Sequence, residues 1–335
     1  MAMDLQSELA TPEEVLDGVW SIPIPLVGSP LASVTMYAVR HQNGILLVDA
    51  GYDHPECWAA LVGGLALAGA RPEDVTAVVL THHHPDHVGL ASRIREASGA
   101  WVAIHPLDAL DEGRRTHGTF IEQLDTELRL AGVPDASRNE MVESSRQLAK
   151  HAHGLSADRM LADGDVIGEG GAELEVVSSP GHTRGHVCLL DRGRRLLFGG
   201  DLLLAAGEVQ LGVVSTPEDD PVAELQGSLR RVSELDVDLL LPGHYDRIGD
   251  VAGRAAAVAA ELETRLAKTA DVIAALPGST AWDVTEAFPW DRPWARQGTT
   301  ARRFGVMQVM GWRRRLVSLG RAELEPGPPE LVTLV

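Results

Sequence analysis

Residues 81–89 read THHHPDHVG, a segment in which four side chains of metal-binding type fall within six positions: His82, His84, Asp86 and His87. The apolar run from Val75 to Leu80 just before it predicts a strand, and Pro85 predicts the start of a helix. A strand that ends where a helix begins directs these side chains to the edge of a sheet. Imidazoles and a carboxylate crowded there compete for few hydrogen-bond donors unless a cation lies between them. The segment therefore indicates a site for zinc or a similar divalent ion.

Three more candidate ligands lie later in the chain, each after an apolar run of β type that ends in glycine or proline. They are His182 in SSPGHTRGH, Asp201 in LLFGGD and His244 in LLLPGHYD. An earlier strand-end carboxylate is Asp49 in ILLVDAG, which is expected either to orient a ligand histidine or a loop backbone, or to be an ordinary turn aspartate. A purely structural zinc site usually contains cysteines, and this set contains none, which favours a catalytic site.

In their order and spacing these motifs resemble the metallo-β-lactamase superfamily, whose pattern is HxHxDH followed by a distant His, a distant Asp and a last His. The resemblance covers about residues 18–246. It implies an α/β fold of the αββα type, with two mixed sheets face to face, helices outside and the ligands at one rim. It also implies two metal ions, the first held by His82, His84 and His182, the second by Asp86, His87 and His244, with Asp201 bridging them.

Seven ligands are too many for one tetrahedral zinc, but they suit two ions about 3.5 to 4 Å apart that share a carboxylate and a hydroxide. Such a pair lowers the pKa of the bridging water to about 7, so no serine or cysteine nucleophile is needed. We therefore expect a hydrolase in which Asp86 and Asp201 are the catalytic carboxylates. Zn²⁺ is the expected ion, and Mn²⁺ or Fe²⁺ fits the same ligands.

The residue at position 201 bears on the substrate. The β-lactamases of the superfamily have Cys or Ser there, whereas hydrolases of esters, thioesters, lactones and phosphodiesters resemble this chain in having Asp. The following residues, LLLAAGEVQLG, contain no Lys, Arg or Tyr, which argues against the specific substrates of glyoxalase II and of N-acyl homoserine lactonases. We expect Leu202, Leu203 and Leu204 to form an apolar wall for an acyl thioester, ester or lactone, carried on coenzyme A or on a carrier protein.

Three alternatives use the same motifs. A single-strand-specific endoribonuclease or phosphodiesterase of the lactamase-beta-like type would have the same pair of ions. A persulfide dioxygenase would hold one iron, and the complete second ligand set counts against it. A non-enzymatic metal-binding module would need its open coordination position to be blocked. The formal net charge of −19 and the pI of about 5.0 disfavour general binding to nucleic acid.

Positive charge is nevertheless concentrated near the C-terminal end. Residues 292–321 contain eight arginines and no Asp, Glu or Lys, so this segment carries +8 and the rest of the chain −27. We favour the interpretation that a basic module packs on an acidic catalytic domain. The alternative is a docking patch for an acidic partner such as a phosphopantetheine carrier, coenzyme A or RNA.

Two domains are expected. Residues 1–246 form the catalytic domain, with a helical lid at about 106–160 whose helices span 120–131 and 137–152. Residues 247–335 form a C-terminal module with helices at 251–276 and 300–319 and a small β-wing. This module resembles the winged-helix tail of the glyoxalase II-like and lactamase-beta-like branch of the superfamily.

The setting is expected to be the cytoplasm. The chain starts with the polar and acidic stretch MAMDLQSELATPEE, and it has no apolar run of membrane-spanning length. Cys57 and Cys188 lack CxxC spacing, and only two cysteines in 335 residues indicate a reduced compartment or a disulfide-free chain. We therefore expect no membrane partner, and a homodimer remains open.

Overall fold

The computed structural model describes residues 10–26, 31–110, 119–149, 155–212, 216 and 218–335. Within this part of the chain, the first sheet has seven strands whose spatial order follows the sequence. They are β1 Glu13–Leu16, β2 Val19–Pro25, β3 Ser33–His41, β4 Gly44–Val48, β5 Val75–Val79, β6 Trp101–Ile104 and β7 Arg159–Met160. Strands β1 to β4 pair antiparallel, and β4 to β7 pair parallel. The apolar runs VTMYAVR and GILLVDAG predict a hairpin around residues 42–44, and the structure has the β3–β4 turn there.

The second sheet has five strands among the described residues, in the order β12-β11-β10-β9-β8. They are β8 Val166–Glu169, β9 Ala172–Ser178, β10 Val187–Asp191, β11 Leu196–Gly200 and β12 Leu239–Pro242. Only the β11–β12 pair is parallel. A separate hairpin of β13 Ala322–Glu325 and β14 Leu331–Leu334 follows near the end of the chain.

Nine α-helices with defined bounds connect these strands in the described residues: α1 Pro55–Leu67, α2 Pro85–Val88, α3 Ala91–Ser98, α4 Thr119–Leu130, α5 Asp135–Ala149, α6 Pro221–Ser233, α7 Val251–Ala275, α8 Ala281–Ala287 and α9 Thr299–Ser318. Residues 106–110 are also helical. The helix starts follow local chemistry, since Asp220 caps α6 by accepting from the Ala223 amide at 2.9 Å. Asp250 caps α7 in the same way through the Gly253 amide. Proline at the first position of α1, α2 and α6 fixes a helical φ without losing a needed donor.

The two sheets face each other across an apolar layer that includes Val48, Val79, Phe198 and Leu241. Strands β4 and β5 are apolar on both faces because α1 and α3 cover their other side. Helices α6, α7 and α9 cover the outer face of the second sheet. The expected αββα sandwich, with helices in the C-terminal region, is therefore confirmed.

Helices α4 and α5 occupy the segment predicted as a lid, and residues 150–152 of the predicted second helix lie outside the described residues. The apolar side chains of α4 and α5 join the cluster formed by α7, α8 and α9. Backbone bonds support this packing, since the Ala131 carbonyl accepts from the Trp282 amide at 2.8 Å and the Leu130 carbonyl from the Glu330 amide at 2.9 Å. The helical pair thus contacts the C-terminal helices, and a lid function stays a prediction.

The C-terminal module consists of α7, α8, α9 and the β13–β14 hairpin. Trp282, Trp290, Trp294 and Trp312 pack there with Phe288, whose ring stacks on Trp312 at 4.9 Å between centroids. Its apolar side chains are continuous with those on the outer face of the second sheet. A boundary at residue 246 therefore does not separate two hydrophobic cores, and the winged-helix topology stays a prediction.

Candidate metal centre

The seven candidate ligands lie at one rim of the sandwich, where strands of both sheets end. His82 and His84 follow β5, and Asp86 and His87 lie on α2 immediately after them. The second sheet contributes the other three, His182 between β9 and β10, Asp201 after β11 and His244 after β12. Ligand atoms fall into groups within 4.8 Å of one another: His82, His84 and His182; Asp86, His87 and His244; and His82, His87 and Asp201.

In the first group three ring nitrogens face one another. His84 Nδ1 lies 3.1 Å from His82 Nε2 and 2.9 Å from His182 Nε2. The outer nitrogens are held elsewhere, because His82 Nδ1 bonds to Thr81 Oγ1 at 3.0 Å and His182 Nδ1 donates to the Gln210 carbonyl at 2.8 Å. Burial lowers the pKa of all three rings, and neighbouring histidines lower those of His82 and His84 further. Neutral rings with converging lone pairs suit a cation.

In the second group the carboxylate of Asp86 lies 3.3 Å from His244 Nε2 and 3.9 Å from His87 Nε2. The Nδ1 atoms again point outward. His87 Nδ1 donates to Asp49 at 2.8 Å, and His244 Nδ1 donates to the Ser33 carbonyl at 2.9 Å. The outward bonds fix each ring so that Nε2 faces the centre of the group.

Asp201 lies between the two groups. Its Oδ2 is 3.6 Å from His182 Nε2 in the first group and 3.5 Å from His244 Nε2 in the second, while its Oδ1 is 3.5 Å from His87 Nε2. Both Asp201 Oδ1 and His87 Nε2 are buried without a hydrogen-bond partner among the described residues. Buried polar atoms rarely stay unpaired, so their position is that of ligand atoms.

The carboxylates of the site favour positive charge on the histidines beside them. Burial alone would lower the pKa of His244, but Asp201 and Asp86 outweigh it and raise that pKa to about 12. The pKa of His87 is raised to about 9, since Asp201 and Asp49 likewise outweigh burial. The same histidines hold the pKa of Asp86 well below its usual range despite burial. A divalent cation would displace the ring protons and balance the charge of the carboxylates.

Asp49 sits below the centre and is 2% exposed. Besides His87 it accepts hydrogen bonds from the Thr81 amide at 2.8 Å and from Thr81 Oγ1 at 3.0 Å. Its backbone is left-handed with a φ of 64°, a conformation that Asp tolerates better than most residues. It thus connects the end of β4 to the start of the ligand segment.

Two further contacts position the ligands, and the second of them, made by Gly243, was not assigned from the sequence. His186 Nε2 accepts from the Asp201 amide at 3.1 Å, and its Nδ1 donates to Ser179 Oγ at 2.8 Å. Gly243 allows the end of β12 to lie close to Asp201, because a Cβ at position 243 would lie 2.6 Å from Asp201 Oδ1. His186 and Gly243 each lie close in sequence to a motif ligand, and this closeness is the sequence feature that points to them.

Asp108, at the start of the predicted lid, was also missed. It is fully buried and joins the two loops that bear the first group. It accepts from the His83 amide at 2.9 Å, from Thr183 Oγ1 at 2.7 Å and from the Gly185 amide at 2.6 Å. Its position just after β6, at the same rim as the ligands, was the one sequence signal.

The leucines after Asp201 correct an expectation. Leu202 and Leu203 are 0% exposed and belong to the core under the C-terminal helices, and Leu204 is 7% exposed. The three leucines do not form an accessible wall, because Leu202 and Leu203 belong to the cluster that the second sheet shares with α6 and α7 and Leu204 is itself buried. The apolar pattern reflected packing against these helices rather than an acyl pocket.

The arginine-rich segment is partly internal. Arg313 is 2% exposed and donates to the Glu330 carbonyl at 3.1 Å, Arg314 pairs with the Glu330 carboxylate at 2.8 Å, and Arg315 with Asp220 at 3.4 Å. Arg292, Arg296 and Arg321 are exposed. None of the described helices is both long and apolar enough to cross a bilayer.

Two facing sheets with histidine and aspartate ligands gathered at one rim define a metal-binding protein of the αββα class. Residues 30–244 match the model of the Metallo-beta-lactamase superfamily, and the chain belongs to that family. Divalent metal binding is a property of this family, and the ligand atoms described above provide the place for it.

Relatives extend the comparison. The chain is 31% identical to the "Probable metallo-hydrolase YqjP" of Bacillus subtilis (strain 168), over 69% of this chain and 72% of that protein. It is 30% identical to the "Acyl-coenzyme A thioesterase MBLAC2" of Gallus gallus, over 64% and 73%. The solved structure of the metallo-beta-lactamase family protein TTHA1429 from Thermus thermophilus superposes with a TM-score of 0.83 at 25% identity, covering 96% of this chain and all of that chain. Together with the family match, these relatives identify a metallo-hydrolase of the superfamily, consistent with the lactamase-beta-like branch.

Proposed function

We propose that this protein hydrolyses acyl thioesters and related esters or lactones at a centre of two divalent metal ions. The observation that carries the proposal is the position of Asp201 Oδ2, at 3.6 Å from a histidine of one ligand group and 3.5 Å from a histidine of the other. A carboxylate shared between two complete groups is the arrangement of a dinuclear hydrolase.

The residues fit such a centre. His82, His84 and His182 would hold one ion, Asp86, His87 and His244 the other, with Asp201 between them. Imidazole and carboxylate ligands suit zinc and equally manganese or iron, so ligand chemistry favours no single ion. When bound, the two ions would supply a nucleophile from water near pH 7 and polarise the acyl carbonyl.

The chain's own groups then have distinct tasks. The first-group histidines stay neutral because burial lowers their pKa, so they offer lone pairs and no protons. Asp201 is 7% exposed, and its backbone amide donates to His186, which fixes the backbone that carries the carboxylate. Asp86 is the more open carboxylate, with its side chain 23% exposed, and it stays ionised. We assign to it the orientation of the attacking water through a hydrogen bond that the carboxylate accepts.

The acyl thioester ranks first among the substrates for two reasons. A relative 30% identical over 64% of this chain is named as an acyl-coenzyme A thioesterase. Position 201 is Asp, as in the hydrolases of esters and thioesters that the sequence resembles. Arg313, Arg314 and Arg315, three of the eight arginines that an RNA substrate would use, form internal contacts, so these three side chains do not favour the phosphodiesterase alternative.

One experiment tests the proposal directly. Protein purified without chelator is analysed for metal and assayed on acyl-coenzyme A, acyl-glutathione, aryl esters, lactones, bis(p-nitrophenyl) phosphate and single-stranded RNA. We expect close to two ions per chain and metal-dependent cleavage of acyl substrates. One ion that is unaffected by Asp86→Ala or His244→Ala would contradict the dinuclear centre. Efficient RNA cleavage without acyl hydrolysis would replace the proposed substrate class.

The bridging role of Asp201 has its own test. Asp201→Asn keeps the side-chain volume but weakens the ligand shared by the two ions, so turnover should fall at least about 100-fold. Metal content and thermal stability are measured on the same samples. Asp271→Asn, an identical change at an exposed position of α7, should leave both turnover and metal content unchanged. Near-wild-type activity in Asp201→Asn, with full metal content, would refute the assignment.

A further inference from the structure

The loop after Asp201 is attached to the last long helix by one buried side chain. Gln308 on α9 is 4% exposed, and its amide reaches two backbone groups of this loop. Its Oε1 accepts from the Leu211 amide at 3.0 Å, and its Nε2 donates to the Val209 carbonyl at 3.3 Å. The side-chain amide therefore takes the place that a neighbouring strand would take beside residues 209–211.

The residue between those two contacts orients a metal ligand. The Gln210 carbonyl accepts the Nδ1 proton of His182 at 2.8 Å, and the Gly212 amide donates to the Gly181 carbonyl at 2.7 Å. The Gln210 carbonyl selects the tautomer of His182 and turns its Nε2 toward His84. A shift of residues 209–211 therefore moves His182 directly.

Other contacts from the same module hold the part of the loop that precedes residues 209–211. Arg254 on α7 donates to the Leu204 carbonyl at 2.7 Å, and Arg265 forms an ion pair with Glu208. Gly311 on α9 leaves room for Leu211, since a Cβ there would lie 2.9 Å from Leu211 Cδ1. Leu204 and Glu208, in the first part of the loop, are thus fixed by α7, and residues 209–211 at its end by α9.

We propose that Gln308 is a positioning residue of the metal centre, through which the C-terminal module sets the metal affinity of the His82–His84–His182 group. The proposal rests on the proposed function, because it presupposes that this group binds an ion. Contacts that orient a metal-bound histidine typically change metal affinity 10- to 100-fold when they are removed. Gln308 acts one step further out, so we expect a loss of about tenfold at the first group and none at the second.

The test replaces Gln308 by Met, which keeps the volume and removes both hydrogen bonds. Zn²⁺ affinity is measured for both ions by chelator competition, and the absorption spectrum is recorded after Co²⁺ loading. We expect one ion to bind about tenfold more weakly, with an altered Co²⁺ spectrum. Thr285→Val is the matched control, because it removes a buried hydrogen bond of the same module, to the Ala281 carbonyl, without touching the loop. It should match the wild type in both readouts.

A double-mutant cycle separates positioning from general destabilisation. In a His182→Ala background the ring is gone, so Gln308→Met should cause no further loss of metal affinity. An equal further loss, or unchanged affinity in the single variant, would overturn the proposal. If Gln308→Met does not fold, Gln308→Glu tests the same point, because its carboxylate still accepts from Leu211 but opposes the Val209 carbonyl. Wild-type protein that binds no ion would instead reject the proposed function.

Discussion

Asp108 connects the two loops that carry the first ligand group. Its carboxylate is fully buried, and one oxygen accepts from the His83 amide and Thr183 Oγ1 while the other accepts from the Gly185 amide. Burial would raise its pKa, but the charge of His83 and these hydrogen bonds outweigh it and lower the pKa below its ordinary value. The carboxylate is therefore more stable ionised in the folded protein than in the unfolded chain.

This carboxylate gives a prediction for stability against pH. Because its folded pKa is depressed, its contribution is complete above the unfolded pKa, near 4, and is lost as the pH falls through the folded value. Asp108→Asn should lower the free energy of unfolding by about 2 kcal/mol at pH 7, and the difference from wild type should narrow below about pH 4. Urea unfolding of metal-free protein at several pH values measures this difference.

The control is Asp135→Asn, since the Asp135 side chain is 86% exposed. It should stay within about 0.5 kcal/mol of wild type. A constant difference between Asp108→Asn and wild type from pH 7 to pH 3 would argue against an ionised Asp108.

The ligand residues and these supporting residues differ in how far they can be predicted. His82, His84, Asp86 and His87 lie in one short segment, so local spacing identifies them. Asp108 and Gln308 cannot be found in this way, because their partners lie in distant loops and each reads locally as an ordinary helical residue. Only the packing of α9 on the loop after Asp201 gives Gln308 its role.

At the scale of elements, α9 shows why a charged sequence need not be a binding surface. Arg313 faces inward from this helix, and burial lowers its pKa to about 10. Its guanidinium donates to the Glu330 carbonyl, and its neighbour Arg314 pairs with the Glu330 carboxylate. These bonds attach α9 to the segment that leads into β14.

Arg313 and Arg321 therefore make a contrasting pair. Arg313→Ala leaves a cavity and an unpaired carbonyl, so the free energy of unfolding should fall by about 3 kcal/mol. Arg321→Ala, at an exposed position just after α9, should change it by less than about 0.5 kcal/mol. Chemical denaturation of both variants measures the difference. Equal and small effects would show that the buried guanidinium contributes no net stability.

Element prediction succeeded where periodicity was sufficient. The spacing of apolar residues predicted α4, α5, α7 and α9 within a few residues, and the turn at residues 42–44 predicted the β3–β4 hairpin. Periodicity states that a face is apolar, not which surface covers it. The apolar run after Asp201 therefore indicates the wall of an acyl pocket, although Leu202 and Leu203 pack beneath the C-terminal helices.

At the scale of the whole molecule, one apolar cluster links the catalytic sheets to the C-terminal module. It includes Leu190 and Leu197 of the second sheet, Leu225 of α6, Leu266 of α7 and Val309 of α9. All five are at most 2% exposed. Removing the module would expose the outer face of the second sheet to water.

We therefore predict that the metal-free protein unfolds in a single transition despite its length. Tryptophan fluorescence reports largely on the module, where four of the seven tryptophans lie, and far-ultraviolet circular dichroism reports on the whole chain. Their urea midpoints should coincide. Val306→Ala, a cavity in α9, should shift both midpoints together. A fluorescence transition that precedes the circular dichroism transition would show two independent units.

Because the ligands lie at the strand ends of two sheets, their order along the chain determines when a metal ion can first bind. Neither ligand group is complete within the first sheet, because one requires His182 and the other His244. During synthesis the first group therefore becomes complete once the chain has reached His182, and the second only once β12 has been synthesised and has paired with β11. In zinc fingers the ion drives folding of a short chain, whereas here the ligands stand on two sheets that share an apolar layer of their own. We therefore expect metal to load after the two sheets have packed together.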